Sequence, residues 1–98
     1  MSAYLIITST PFADKDTQLQ TYVSKVVPLF IEGGGVSIGR YHTTEQHLGS
    51  DGPAYTAIFE FPSSTALRDV LEGDAFLGLS SLRNEVFEHL DLMECAHL

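Results

Sequence analysis

The stretch Ala54-Tyr55-Thr56-Ala57-Ile58-Phe59-Glu60-Phe61-Pro62-Ser63-Ser64 decides the fold. Its first eight residues are rich in aromatic and β-branched types and read as a strand. Ala57, Phe59 and Phe61 alternate with Ile58, so both sides of the strand are apolar. Pro62 ends it, and Ser63 is suited to cap a helix reaching to about Leu71. A strand apolar on both sides belongs in a sheet that is covered on both sides.

Working outward, residues 36–42 alternate and read as another strand, joined to the first by the polar loop Thr43–Pro53. Upstream lies an amphipathic helix whose stripe is Leu19, Tyr22, Val23, Val26, Val27 and Phe30. Asp14 or Asp16 is placed to cap it, and Gly33-Gly34-Gly35 to stop it. Pro28 cannot donate to the carbonyl of Ser24, which predicts a kink or an early end. Residues 3–9 form the first strand, with Tyr4 and Ile6 on one side and Leu5 and Ile7 on the other. Downstream, Gly73-Asp74 breaks and recaps the second helix, Ala75–Glu88 continues it, and His89–Ala96 is the last strand. In that strand Leu90 and Leu92 alternate with Met93 and Cys95.

The order is βαββαβ, an α+β ferredoxin-like arrangement with a four-stranded antiparallel sheet and its helices on one face. Residues 1–98 are expected to form one domain. The chain has no element left to cover the second, equally apolar face. The economical cover is a second copy, so a homodimer through the open sheet face is expected.

The chain carries 13 Asp and Glu against 5 Lys and Arg, a formal charge of −8. The first half is nearly balanced. The second half holds nine acids and only two bases, Arg68 and Arg83. Phosphate backbones and anionic membranes would repel such a chain, which argues against nucleic-acid and membrane-surface partners. One cysteine, Cys95, excludes an internal disulfide and suits a reducing, cytoplasmic location. The apolar run Tyr4–Ile7 is too short for a signal peptide or a spanning helix.

Several segments together resemble the domain of unknown function 1330 family, in the dimeric α+β barrel superfamily. They are Ala3-Tyr4-Leu5-Ile6, Tyr22 to Pro28, Gly34-Gly35 with Arg40, Phe59-Glu60-Phe61-Pro62-Ser63, Ala66, and Leu82-Arg83. The resemblance spans nearly the whole chain. It implies a ferredoxin-like subunit that dimerises through its sheet, and it implies no established reaction. The chain departs from the family pattern at Val70-Leu71, where a Trp-Tyr pair is usual. It departs again at Phe76, often Tyr, and at Tyr41-His42, which replace a Gly-Gly pair. In superfamily members of known activity, ligands sit between sheet and helices, which by analogy turns Arg40, Tyr41 and His42 toward such a cleft.

The residues themselves offer a short set of chemical candidates. Arg83 falls on a helical wheel amid Phe76, Leu79, Val86 and Phe87. A guanidinium there needs a partner. Two readings stand: an internal ion pair with a carboxylate such as Glu60 or a snorkelling stem, or a fork for a ligand carboxylate or phosphate. Alternation sends Arg40 and His42 to one side of their strand and Tyr41 to the other. His42 has a pKa suited to general base work, although a strand-end histidine is more often a plain surface residue. His42, Glu45 and His47 lack the supporting pattern of a metal site, so no metal is expected. The glycine run follows a helix and lacks the third glycine of a dinucleotide loop, and no cofactor is expected. Ser80-Ser81 has no adjacent base to activate it.

Three functions remain open. The first is a dimeric module holding a small organic, anionic ligand, with Arg83, Arg40, Tyr41 and Tyr55 as binding residues. The second is a cofactor-free enzyme of monooxygenase, isomerase or dehydratase type. In it His42 would be the base, Arg40 or Arg83 would stabilise an enolate or carboxylate, and Tyr41 or Tyr55 would orient the substrate. The third is a structural subunit without a ligand.

Overall fold

The computed structural model describes residues 1–98. Strand β1 (Ala3–Pro11) is followed by helix α1 (Asp16–Glu32), strands β2 (Val36–His42) and β3 (Tyr55–Phe61), helices α2 (Ser64–Leu71), α3 (Asp74–Leu77) and α4 (Ser80–Val86), and strand β4 (Phe87–Cys95). The strands form one antiparallel sheet in the order β2-β3-β1-β4. The chain is α+β with the ferredoxin-like architecture expected from the sequence.

The helices settle which face is the core. Directly opposed residues of an antiparallel ladder share a face. The pairs Ala3–Phe61 and Leu5–Phe59 therefore point together, and all four are buried beneath the helices. Phe30 of α1 lies 5.0 Å from the Phe59 ring, 6.4 Å from Phe61 and 6.3 Å from Phe76. Burying each such side chain contributes about 1.5–3 kcal/mol. The opposite face carries Tyr4, Ile6, Ile58 and Met93, and no helix of this chain covers it; only His97 of the C-terminal tail packs there, edge-on to the Tyr4 ring at 4.8 Å.

Helix α1 departs from expectation at both ends and in its middle. Neither Asp14 nor Asp16 caps it. Lys15 occupies the cap position without a side-chain bond, and Asp14 takes a left-handed turn at φ 65°. Asp16 instead lies in the first turn, where a carboxylate complements the helix dipole. Pro28 does not end the helix, which runs unbroken to Glu32. The last turn is fastened beyond the proline, because Gly34 N–H donates to Ile31 O at 3.1 Å and Gly35 N–H to Phe30 O at 2.8 Å. This is a Schellman stop, and Gly34 supplies its positive φ of 98°. Gly35 is needed for space, since a Cβ there would lie 2.8 Å from the Phe61 ring.

Ser63 does cap α2, its hydroxyl accepting from Ala66 N at 3.1 Å. The long helix expected over Ala75–Glu88 is instead two short ones parted at Gly78-Leu79, and β4 begins at Phe87. Tertiary pairing overrides local propensity there. Phe87 pairs with Pro11, Phe12 N–H donates to Val86 O at 2.9 Å, and Phe87 meets the Tyr22 ring edge-on at 5.4 Å.

Strand β2 carries the feature that aims the site. Its register against β3 slips by one residue between Ser37 and Gly39, so Ile38 is a bulge. Past the bulge, Arg40 opposes Ala57 and His42 opposes Tyr55, both on the helix side. Tyr41 opposes Thr56 on the open side, where its ring lies back over Gly39. A side chain at position 39 would collide with that ring.

Candidate functional site

The helix side of the sheet can be read as rows crossing the strands. One row is His42, Tyr55, Ser9 and Leu90. The next is Arg40, Ala57, Ile7 and Leu92, and beyond it come Ser37, Phe59, Leu5 and Glu94. Along the two central strands the helix side thus runs from Tyr55 and Ser9 at one end to the apolar Phe59 and Leu5 at the other. Helix α1 roofs these rows with Leu19, Tyr22, Val23, Val26, Val27 and Phe30, the stripe read from the sequence.

Between roof and floor lies a cavity of about 420 Å³, within the range of small-molecule sites. Fourteen of its 18 lining residues are hydrophobic, which suits an apolar body over a sugar or a polyanion. Arg40, His42 and Tyr55 stand at the mouth with their side chains on the helix side, while Tyr41 borders it from β2 with its ring turned to the open face, and all four are exposed. The end of the β2–β3 loop is tied down beside them. Thr43 N–H donates to Ala54 O at 2.8 Å, and Ala54 N–H donates to the Thr10 hydroxyl at 3.2 Å. Arg40 forms no ion pair, whereas Lys15 is 3.6 Å from Glu85 and Arg68 is 3.5 Å from Glu94.

The structure therefore brings four of the five residues singled out in the sequence to one cavity. Arg83 is elsewhere. It lines a second, more open depression with Leu71, Phe76, Asn84, Leu90 and Leu92. Its expected ion pair with Glu60 does not exist, because Glu60 lies on the open face and accepts from the Tyr4 hydroxyl at 3.3 Å. The guanidinium instead donates to Phe76 O at 3.2 Å and to the Tyr22 hydroxyl at 3.3 Å, with its carbon 4.1 Å from the centre of the Phe76 ring. Phe76 is thus the neighbour that the wheel gave, although the helix is parted at Gly78-Leu79, whereas Tyr22 lies on α1, beyond the reach of any single-helix wheel. Burial pushes the Tyr22 hydroxyl above its ordinary pKa of 10.0, and the bond from Arg83 pulls the other way.

Ser9 was missed by sequence reasoning. It is 9% exposed, lines the cavity, and its hydroxyl has no hydrogen-bond partner within the chain. The signal was present, since Ser9 continues the helix-side alternation of Ala3, Leu5 and Ile7 where a hydrophobe would be expected. Outside the cavity, His97 also has a partner that was not foreseen. Its Nε2 lies 2.6 Å from the Tyr4 hydroxyl on the open face. Loss of hydration and the Glu60 carboxylate hold that tyrosine above its usual pKa.

With this geometry established, the sequence profile of the domain of unknown function DUF1330 matches residues 2–94. The chain belongs to the DUF1330 family. No curated protein matches it in sequence. The family fold is shared by solved structures of low identity. A protein of unknown function from Rhodopseudomonas palustris is 15% identical, with 99% of this chain and 82% of that one covered at a TM-score of 0.83. A dabb family protein with a ferredoxin-like fold from Mesorhizobium loti is 9% identical, with 99% and 97% covered at 0.74. A dimeric protein of unknown function and ferredoxin-like fold from Bacteroides fragilis is 9% identical, with 98% and 96% covered at 0.69. At these identities the likeness establishes the fold. No helix of this DUF1330 chain is long and apolar enough to cross a membrane.

Proposed function

We propose that this DUF1330 protein is a cytoplasmic homodimeric binding module that takes a small, largely apolar organic anion into the cleft between its sheet and α1. The observation that carries the reading is the cavity itself: an apolar interior of about 420 Å³ whose mouth holds an unpaired arginine in a chain of net charge −8. Arg40 offers a fork for a carboxylate, His42 and Tyr55 offer further donors, and the rows beyond take the apolar body. Arg83 drops out of the binding set on this reading, because its guanidinium faces another depression and is engaged by Tyr22 and Phe76.

The test uses 2-naphthoate, a rigid apolar body with one carboxylate. Titration by intrinsic fluorescence or calorimetry should show saturable binding of one molecule per chain. Ala57→Phe, which fills the floor beside Arg40, should weaken it by about tenfold or more while the fold persists by circular dichroism. Equal binding by the variant would refute the placement of the ligand.

The second copy covers the open face. That face exposes Val36, Ile38, Tyr41 and Met93 to 42–61% around Ile6 and Ile58, a cluster of apolar side chains of the kind that marks an interaction surface. The Bacteroides fragilis neighbour is dimeric by description, which supports a homodimer. Light scattering at micromolar concentration should give the mass of two chains, and Ile58→Lys should give one. A monomeric wild type would remove the dimer from the proposal.

A second reading, the cofactor-free enzyme, draws on His42 standing opposite Tyr55 at the mouth. It requires catalysed solvent-deuterium exchange at the acidic carbon of a bound keto acid, lost in His42→Ala.

A further inference from the structure

From Ser9 we infer that the cavity reads two separated polar groups on its ligand: the anion at Arg40 and His42, and a hydroxyl or carbonyl remote from it at Ser9. This inference rests on the cavity being the binding site and adds the chemical class of what it holds, a hydroxylated or oxo-substituted apolar carboxylic acid.

Ser9 is nine-tenths buried in the central strand, flanked by Tyr55 on one side and Leu90 on the other. Its backbone is committed to the sheet, but its hydroxyl is not bonded to any group of the chain. The rest of the helix side of β1 is Ala3, Leu5 and Ile7, so the strand tolerates apolar side chains there. The hydroxyl is not sealed in, because no fully enclosed side-chain polar atom lacks a partner, and Ser9 lines the cavity. Its unused bonding capacity is therefore presented to whatever occupies the cavity.

The sheet fixes the spacing. His42 and Ser9 share a row with one strand between them, so their backbones are about 10 Å apart. A single carboxylate cannot serve both anchors. A ligand that satisfies both carries its second oxygen at the far side of an apolar body, not beside the carboxylate. Serine is donor and acceptor at once, so it pairs with a hydroxyl or a carbonyl and excludes neither.

Hydroxynaphthoates separate these features. Relative to 2-naphthoate, 5- or 6-hydroxy-2-naphthoate should bind the wild type about three- to tenfold more tightly, the gain expected of one hydrogen bond in a partly dry site. The 3-hydroxy isomer, with its hydroxyl next to the carboxylate, should show no gain. Ser9→Ala should erase the preference and leave the affinity for 2-naphthoate within about twofold, with Ser9→Cys as a second, similarly small replacement. Absence of any gain from the remote hydroxyls, or a gain that survives in Ser9→Ala, overturns the assignment to Ser9 and leaves the cavity reading standing. Failure of every naphthoate to bind overturns both.

Discussion

Two arginines in this acidic chain lack a carboxylate partner among the salt bridges, and their surroundings differ sharply. Arg83 is half-buried, with one donor on a tyrosine, one on a backbone carbonyl, and its flat face on Phe76. Arg40 stands exposed at the cavity mouth, and its guanidinium has no hydrogen bond or ion pair within the chain. The contrast teaches that a guanidinium can be held by aromatic faces and neutral oxygens alone. An unpaired charge is therefore a functional hint only where its donors are also free. Arg83 holds Tyr22 and α3 in place, while Arg40 is available to a solute.

The largest effect that sharpens this contrast is on stability. Arg83→Met should cost about 1–3 kcal/mol through two hydrogen bonds and the stacking on Phe76. That lowers the melting temperature of a domain this size by about 4–8 °C per kcal/mol. Naphthoate affinity should stay within about twofold of wild type. A preserved melting temperature with abolished binding would invert the two roles. Arg40→Gln should behave in the opposite way. Its stability should stay within about 0.5 kcal/mol of wild type, as for most surface substitutions. Its affinity for 2-naphthoate should fall about fivefold, and the remaining affinity should depend less on salt.

The smallest effect concerns the hydroxyl that ties Arg83 to the cavity roof. Burial raises the Tyr22 pKa, so the folded state favours the neutral phenol. The stability this contributes is full below the unfolded value near 10.0 and is lost as pH rises through the folded value. At about pH 8, Tyr22→Phe should be less stable than wild type by about 1 kcal/mol, the worth of the bond from Arg83. Toward about pH 11 that gap should shrink, because only the wild type must ionise a buried phenol. Tyr4, raised in the same direction, is common to both proteins and cancels. Urea midpoints at the two pH values decide it, and a gap that stays constant would break the link.

The particular residues show where the sequence was readable. The stripe Leu19 to Phe30 and the double-sided strands around Leu5 and Phe59 were legible because burial imposes fixed periods on them. The order of elements followed from these periods, and so did the family resemblance. Arg40, Tyr41, His42 and Tyr55 were legible as neighbours because strand alternation and one loop bring them together. Three things were not. The end of the last helix depended on Phe87 pairing with Pro11, a contact across the whole chain. The partner of Arg83 depended on where Tyr22 and Phe76 meet in space. Ser9 looked like an ordinary strand-end residue until the sheet order enclosed it between β3 and β4.

The bulge at Ile38 has one more implication. It works as a parity bit: one extra residue in an edge strand decides which side every later side chain serves. Deleting Ile38 alone would leave each later residue opposite its present partner, but a strand of unchanged length that paired without the bulge would slip by one residue and exchange the two sets. Tyr41 would then turn to the helix side, and Arg40 and His42 to the open side. Evolution along this strand can thus trade a ligand-facing surface for a subunit-facing one without changing any amino acid. Gain or loss of the bulge in β2, rather than any single contact residue, is the change to watch when relatives are compared for what they bind.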